Sequence, residues 1–191
     1  MRPDREEQEE NNGWAQKWGN IMASIFQGTL SGFAAAAPAA STQLQYDSIY
    51  QENCHRIYSL AFWMTGNELT AEQLSANTFL RAFASSQPPA SEQIDRAFLK
   101  EVRELMPVGI LTSNCPVCSE TASVCGNIKR IHLEQAVLQL PATEKLIFLL
   151  HDVEGYQHGK ISSLLGLTEE DSRRGLHQAP MQMRTLILQM L

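Results

Sequence analysis

The sequence is poor in positive charge. It has 15 Lys and Arg against 21 Asp and Glu, a net charge of −6 and a pI near 5.4. A protein that holds nucleic acid mainly by neutralising phosphates is usually basic. Nucleic-acid contact by this chain is therefore local, weak or assisted by a partner. Strand-like alternation is also missing, so an all-α fold is expected. There is no Gly-rich phosphate cradle, no paired-carboxylate signature and no zinc-hydrolase motif. Ser162-Ser163 has no base nearby in sequence, so no nucleophile is indicated. Enzyme activity is not expected. Cysteine is sparse, at positions 54, 115, 118 and 125. The N-terminus MRPDREEQEE is acidic where a secretion signal would be basic. A reducing cytoplasm is expected, where disulfides rarely persist.

What is present is apolar patterning. The hydrophobic fraction is 43% over 191 residues, enough for one domain or two small ones. Residues 1–12 are charged and lack apolar spacing, as a disordered acidic tail does. In residues 13–37, Trp14, Trp18, Ile21, Met22, Ile25, Phe26, Leu30 and Phe33 recur at helical spacing and predict an amphipathic arm. Residues 21–40 have the length of a membrane span. Ser24, Gln27, Gly28, Thr29, Ser31, Gly32 and Pro38 make them a poor one. A membrane-surface helix would carry several cations, and only Lys17 is present. An arm docked on its own protein or on a partner is the expectation, with tail and arm together filling residues 1–42.

Residues 43–106 predict three helices. Tyr46, Ile49, Tyr50, Cys54, Ile57, Tyr58, Ala61 and Phe62 mark one face, with Cys54 turned inward as a packed thiol. A break at residues 64–67 precedes a helix from about Thr70 to Ala84, with Thr70 and Gln73 as a capping box. The third runs from about Ser91 and stops at Pro107. Residues 107–127 form a loop-rich link. Residues 128–191 predict four more helices, with Pro141 at the start of one and Gly155 just past its end.

The last two of these helices have the layout of a helix-turn-helix. Lys160, Ile161, Leu164 and Leu165 give the first an inward face. Gly166 makes the turn, and Leu167 plugs the angle. Thr168 is the expected N-cap, with Asp171 three residues on. Glu169, Glu170 and Asp171 suit the positive end of a helix dipole, but they repel phosphate where such a helix meets DNA. Arg173, Arg174 and His177 are the residues there that attract it. Gly175 weakens the helix, and Pro180 is expected to bend or end it.

Two separated segments carry a resemblance. YDSIYQENCHRIYSLAFWMTGNELTAEQLSANTFLRAFA (46–84) resembles region 2 of bacterial sigma factors of the extracytoplasmic-function type. LPATEKLIFLLHDVEGYQHGKISSLLGLTEEDSRRGLHQA (140–179) is similar to region 4 of the same family, in the same order and at a similar separation. The resemblance implies a transcription initiation factor of two helical modules. Residues 43–106 would be a region 2-like module and residues 128–191 a region 4-like module, joined by the 107–127 linker. The implied partners are core RNA polymerase and promoter DNA, with an anti-sigma protein as a candidate third. No reaction is catalysed by such a factor. On this reading the expected DNA contacts are Arg173, Arg174 and His177, with Lys160 beside them. The polymerase contacts are Glu72, Asn77, Phe79 and Arg81.

The sequence departs from the family in one direction. Ala71, Glu72, Leu74, Phe79 and Leu80 remain, while Gln73, Ala76 and Asn77 replace family acids and amides. FLKEVRELMPVGIL (98–111) stands where an aromatic and basic residues are usual. Ser172, Gly175 and the His177-Gln178-Ala179-Pro180 end depart from region 4. Residues 43–106 carry a net −3 and residues 107–191 a net −1. The alternative reading is a degenerate sigma-like regulatory or interaction protein that does not initiate transcription.

Two further clusters hold metal-ligating groups. Cys115, Cys118 and Cys125, with His132 beyond them, suit tetrahedral zinc. The spacing lacks a second close pair, so free thiols and a redox-responsive pair stay open beside zinc. His151 and His158 flank Gly155 near Asp152 and Glu154, as a metal site or as solvated surface.

Overall fold

The structure is a computed structural model that describes residues 40–85, 87–112 and 128–191, with backbone alone for 40–43. The tail, the arm and Cys115, Cys118 and Cys125 lie outside the described residues. The described elements are helical, and no strand occurs among them. The all-α expectation holds.

Helix α1 spans Ala40–Thr65. Ile57, Leu60, Ala61 and Met64 recur on one side of it and are buried. It ends at Gly66, whose φ of +66° is a left-handed cap and whose N–H donates to the Phe62 carbonyl at 2.7 Å. Helix α2 spans Glu68–Ala82. Its N-cap is Asn67, not Thr70 as the sequence suggests. The Asn67 side-chain oxygen accepts from the Thr70 N–H at 3.0 Å. Helix α3 spans Ser91–Leu105 and buries Ile94, Phe98 and Val102. Phe79 lies in this core, edge-on to Tyr50 at 4.8 Å between ring centroids.

Helix α4 spans Arg130–Gln139 and α5 spans Ala142–Phe148, with Pro141 as the N-cap of α5. Helix α5 widens into a π-helical turn over Leu149–Val153, which closes at Gly155 with φ +70°. Helix α6 spans His158–Leu165, and α7 spans Glu169–Met190. Pro180 does not end α7. A proline there removes one backbone donor on an exposed face, and the helix beyond it has its own anchorage. Gln182 and Ile187 are buried, and α7 packs along α4 and α5. Tertiary packing outweighs local propensity in this turn.

Residues 42–191 form one compact unit, in which α3 touches α6. The part of the linker next to α3 is fastened down. The Gly109 N–H donates to Thr143 Oγ1 at 3.1 Å. The buried carboxylate of Glu144 accepts from the Thr112 N–H at 2.8 Å and from the Thr112 hydroxyl. No described helix is long and apolar enough to cross a membrane.

Candidate nucleic-acid interface

Gly166 has φ +71°, and the N–H groups of Gly166 and Leu167 both donate to the Ser162 carbonyl, at 2.9 and 3.0 Å. That closes α6 with a left-handed turn only glycine adopts without strain. Thr168 then caps α7. Its hydroxyl accepts from the Asp171 N–H at 3.0 Å and donates to the Asp171 carboxylate at 2.7 Å. The Thr168 hydrogen bond is the main cause that holds the Asp171 carboxyl below its ordinary range. The start of the second helix is fixed by chemistry that places a carboxylate there.

Arg173 and Arg174 are exposed, at 55% and 57% of their side-chain surface. Both are partnered within α7. Arg173 pairs with Glu169 at 3.1 Å, and Arg174 pairs with Asp171. The face therefore presents guanidiniums already compensated by acids one turn back, which weakens attraction to a phosphate. His177 is exposed on the next turn of the same side. Ser172 and Gly175 point the other way and are buried. Ser172 Oγ lies 2.9 Å from His158 Nδ1, and that bond ties α7 to the start of α6. The His158 ring stacks on His151 at 4.8 Å. Partial burial lowers the His158 pKa, and the nearby charge of His151 and Arg173 lowers it further. Among the described residues no three metal-ligating groups converge, at this pair or elsewhere. His132 Nδ1 accepts from the Lys129 N–H at 3.3 Å, at the start of α4.

Lys160 differs from the arginines. Its ammonium lies 3.3 Å from the Asp95 carboxylate and 3.3 Å from the centre of the Tyr156 ring. Burial opposes its charge, but Tyr156 and Asp95 outweigh that and raise its pKa. In this arrangement Lys160 is committed to a seam with α3 and not to the outer face of the helix-turn-helix.

That seam was not foreseen from the sequence. Asp95, on α3, is only 5% exposed. It accepts from Arg56 at 2.8 Å and from the Tyr156 hydroxyl at 2.7 Å. Arg56, on α1, also reaches Tyr156 at 3.1 Å and Glu154 at 3.5 Å. Burial works against the Arg56 charge, but Asp95 first, then Tyr156 and Glu154, hold its pKa above the ordinary value. Burial also raises the Tyr156 pKa, and the bond to Asp95 adds to that. At the other end of α3, Arg103 donates to the carbonyls of Leu164 and Leu165 at 3.2 and 3.0 Å. A cation thus sits at the negative end of α6.

Residues 130–183, from α4 into α7, match the family model described as sigma-70, region 4. Over 178 residues, 84% of this chain, it is 26% identical to the ECF RNA polymerase sigma factor SigE of Mycolicibacterium smegmatis (strain ATCC 700084 / mc(2)155). The chain is thus similar to an extracytoplasmic-function sigma factor over most of its length, and to sigma-70 region 4 over residues 130–183. The match spans 65% of the length of that SigE.

The region 4 match runs from α4 into α7, and the longer alignment reaches well beyond it toward the N-terminal helices. The four residues expected to face polymerase do not share one surface. Phe79 is 1% exposed and belongs to the core. Arg81 is held by Glu101 and, at 2.9 Å, by Glu104 of α3. Glu72 is half-buried and Asn77 is exposed. The outward face of α2 is Leu69, Gln73 and Asn77, one turn apart, with Leu69 64% exposed.

Proposed function

We propose that this sigma-like protein is a transcription initiation factor, which binds core RNA polymerase and directs it to promoter DNA. The observation that carries this reading is the region 4 helix-turn-helix, which presents Arg173, Arg174 and His177 to solvent on α7. Residues 43–106 act as the polymerase-binding module, through Leu69, Gln73 and Asn77 with Glu72 beside them. Residues 128–191 act as the promoter-reading module. The compensated arginines make intrinsic DNA affinity low, and a polymerase that already holds the duplex makes low affinity sufficient. The factor itself catalyses nothing. The site of action is the cytoplasm, and an anti-sigma protein is a candidate antagonist.

The test is promoter-dependent transcription by the Arg173→Glu, Arg174→Glu double variant with core polymerase. Loss of the transcript with unchanged helical circular dichroism supports the assignment. Full activity of the variant removes these residues from the interface.

The second reading, a non-initiating regulatory relative, draws on the same ion pairs. Acids at 169 and 171 occupy the arginines, and Asp95 occupies Lys160. A protein that binds core polymerase and yields no transcript on any promoter would be of this kind.

A further inference from the structure

Two histidines meet beside the helix-turn-helix. His151 stands on the π-helical turn and His158 at the start of α6. Their rings stack with centroids 4.8 Å apart and planes 23° apart. Each ring is tethered at Nδ1, His151 to Asp152 at 2.6 Å and His158 to Ser172 Oγ at 2.9 Å. A ring-nitrogen lone pair lies in the plane of its ring. Two nearly parallel planes give the pair no common point, so the rings are not set to share a metal ion.

The charged groups around His158 come from the π-helical turn, from α7 and from α6 itself. The turn supplies His151, with Asp152 beyond it. Helix α7 supplies Arg173 and Glu169. The Glu169 carboxylate also lies against the start of α6, where a Cβ on Gly159 would stand 3.1 Å from it. On α6, Lys160 is turned to Asp95 and the Tyr156 ring. Burial, His151 and Arg173 resist a proton on His158, and Glu169 favours one.

Ser172 decides what protonation does to the fold. It is fully buried and fixes where the His158 ring sits. A serine hydroxyl both accepts and donates, so it can hold the ring nitrogen with or without a proton. The ring therefore gains charge and keeps its seat. The change is electrostatic: a cation appears beside Arg173. Nδ1 is engaged by Ser172, which leaves Nε2 to meet a phosphate oxygen. Phosphate next to Arg173 reverses the balance at His158. It offsets the arginine and adds to the negative charge of Glu169, so the bound form holds a proton that the free form releases. The complex then binds more protons than its separate parts. Affinity rises as pH falls through the His158 pKa of the complex. It levels off below that of the free protein, which lies under 6.5.

We propose that His158, with His151 stacked on it, is a proton sensor that tightens the grip of the helix-turn-helix on DNA phosphate as pH falls. This sensing rests on the promoter-reading role proposed above. At higher pH the His158 ring is neutral and Glu169 masks Arg173. At lower pH the His158 cation shares Glu169 with Arg173 and adds a positive charge where phosphate is held.

The test follows binding of a labelled DNA duplex to the full chain by fluorescence anisotropy, at constant low salt, from about pH 8 to about pH 6. The parent's affinity is expected to rise about threefold to tenfold over that range. His158→Gln, whose amide can still reach Ser172, should lose most of the rise once circular dichroism has shown it folded. His177→Gln should keep the rise, whatever its affinity. Histidine titration by NMR gives a second readout, in which the His158 pKa of the parent climbs when duplex is added. Should His158→Gln unfold, that titration decides alone. The full rise in folded His158→Gln, or a His158 pKa unmoved by saturating duplex, overturns the sensor. Duplex binding by the parent that ignores pH also overturns it and leaves the promoter-reading role standing. Absence of duplex binding at every pH removes both.

Discussion

Gly175 and Ile147 approach more closely than any side chain at 175 permits. A Cβ on Gly175 would stand 2.6 Å from Ile147 Cδ1 and 2.9 Å from Leu111 Cδ2. The glycine lies on the buried side of α7, where the linker and α5 meet it. A long side chain such as arginine at this position would have no room. What reads in the sequence as a weak point of the helix is a packing solution. It brings the linker and α5 together against α7.

Gly175→Ala gains roughly 1 kcal/mol of helix propensity. It loses about 1–3 kcal/mol to overpacking, because Ile147 is fully buried while Leu111 can yield. The expected net is a destabilisation of about 1 kcal/mol in urea unfolding. Gly175→Arg should cost more than about 3 kcal/mol. Stabilisation by the alanine would show that this contact is slack.

His158 gives a pH dependence with a definite sign. Its folded pKa lies below the ordinary 6.5, first from burial and then from the nearby charge of His151 and Arg173, with Glu169 opposing. A lowered histidine pKa means the neutral ring is favoured in the fold. Its stabilising contribution is complete above pH 6.5 and is lost as pH falls through the lower folded value. Histidine titration by NMR should place His158 below 6.5. His151→Gln should move it upward. No response to that change would separate the stacked rings electrically.

Glu169 masks Arg173 across one turn. Glu169→Gln is expected to raise affinity for duplex DNA a few-fold at low salt and to steepen the salt dependence by about one unit. Fluorescence anisotropy with a labelled duplex measures both. An unchanged slope would mean that Arg173 does not meet phosphate.

The apolar arm at residues 13–37 is expected to cover one segment of the protein and restrain access of DNA or polymerase. Removal of residues 1–40 should then raise binding of either. Equal affinities with and without the arm would remove that role.

Much of the fold was legible because helical spacing is local. Ile57 and Ala61 announce an inward face, and Gly166 with Thr168 announces a turn and a cap, whereas the break expected from Met64 begins only after Thr65. The misreadings share a cause. The capping choice between Asn67 and Thr70 depended on which oxygen reached Thr70 N–H, and two good cap residues stood three apart. Pro180 was weighed against local propensity, whereas Gln182 and Ile187 anchor the helix from beyond it. The contact of Lys160 with Asp95 could not be read from the sequence, because the two lie 65 residues apart. The directions of Phe79 and Arg81 follow from packing against α1 and α3. No periodicity encodes the meeting of Arg56, Asp95 and Tyr156.

The most direct test of the function is binding of the purified full chain to core RNA polymerase, followed by transcription from a library of promoter fragments. The account predicts a stable complex and transcripts that begin at a defined subset of promoters only when the chain is added. A folded chain that forms no complex with core polymerase would contradict it.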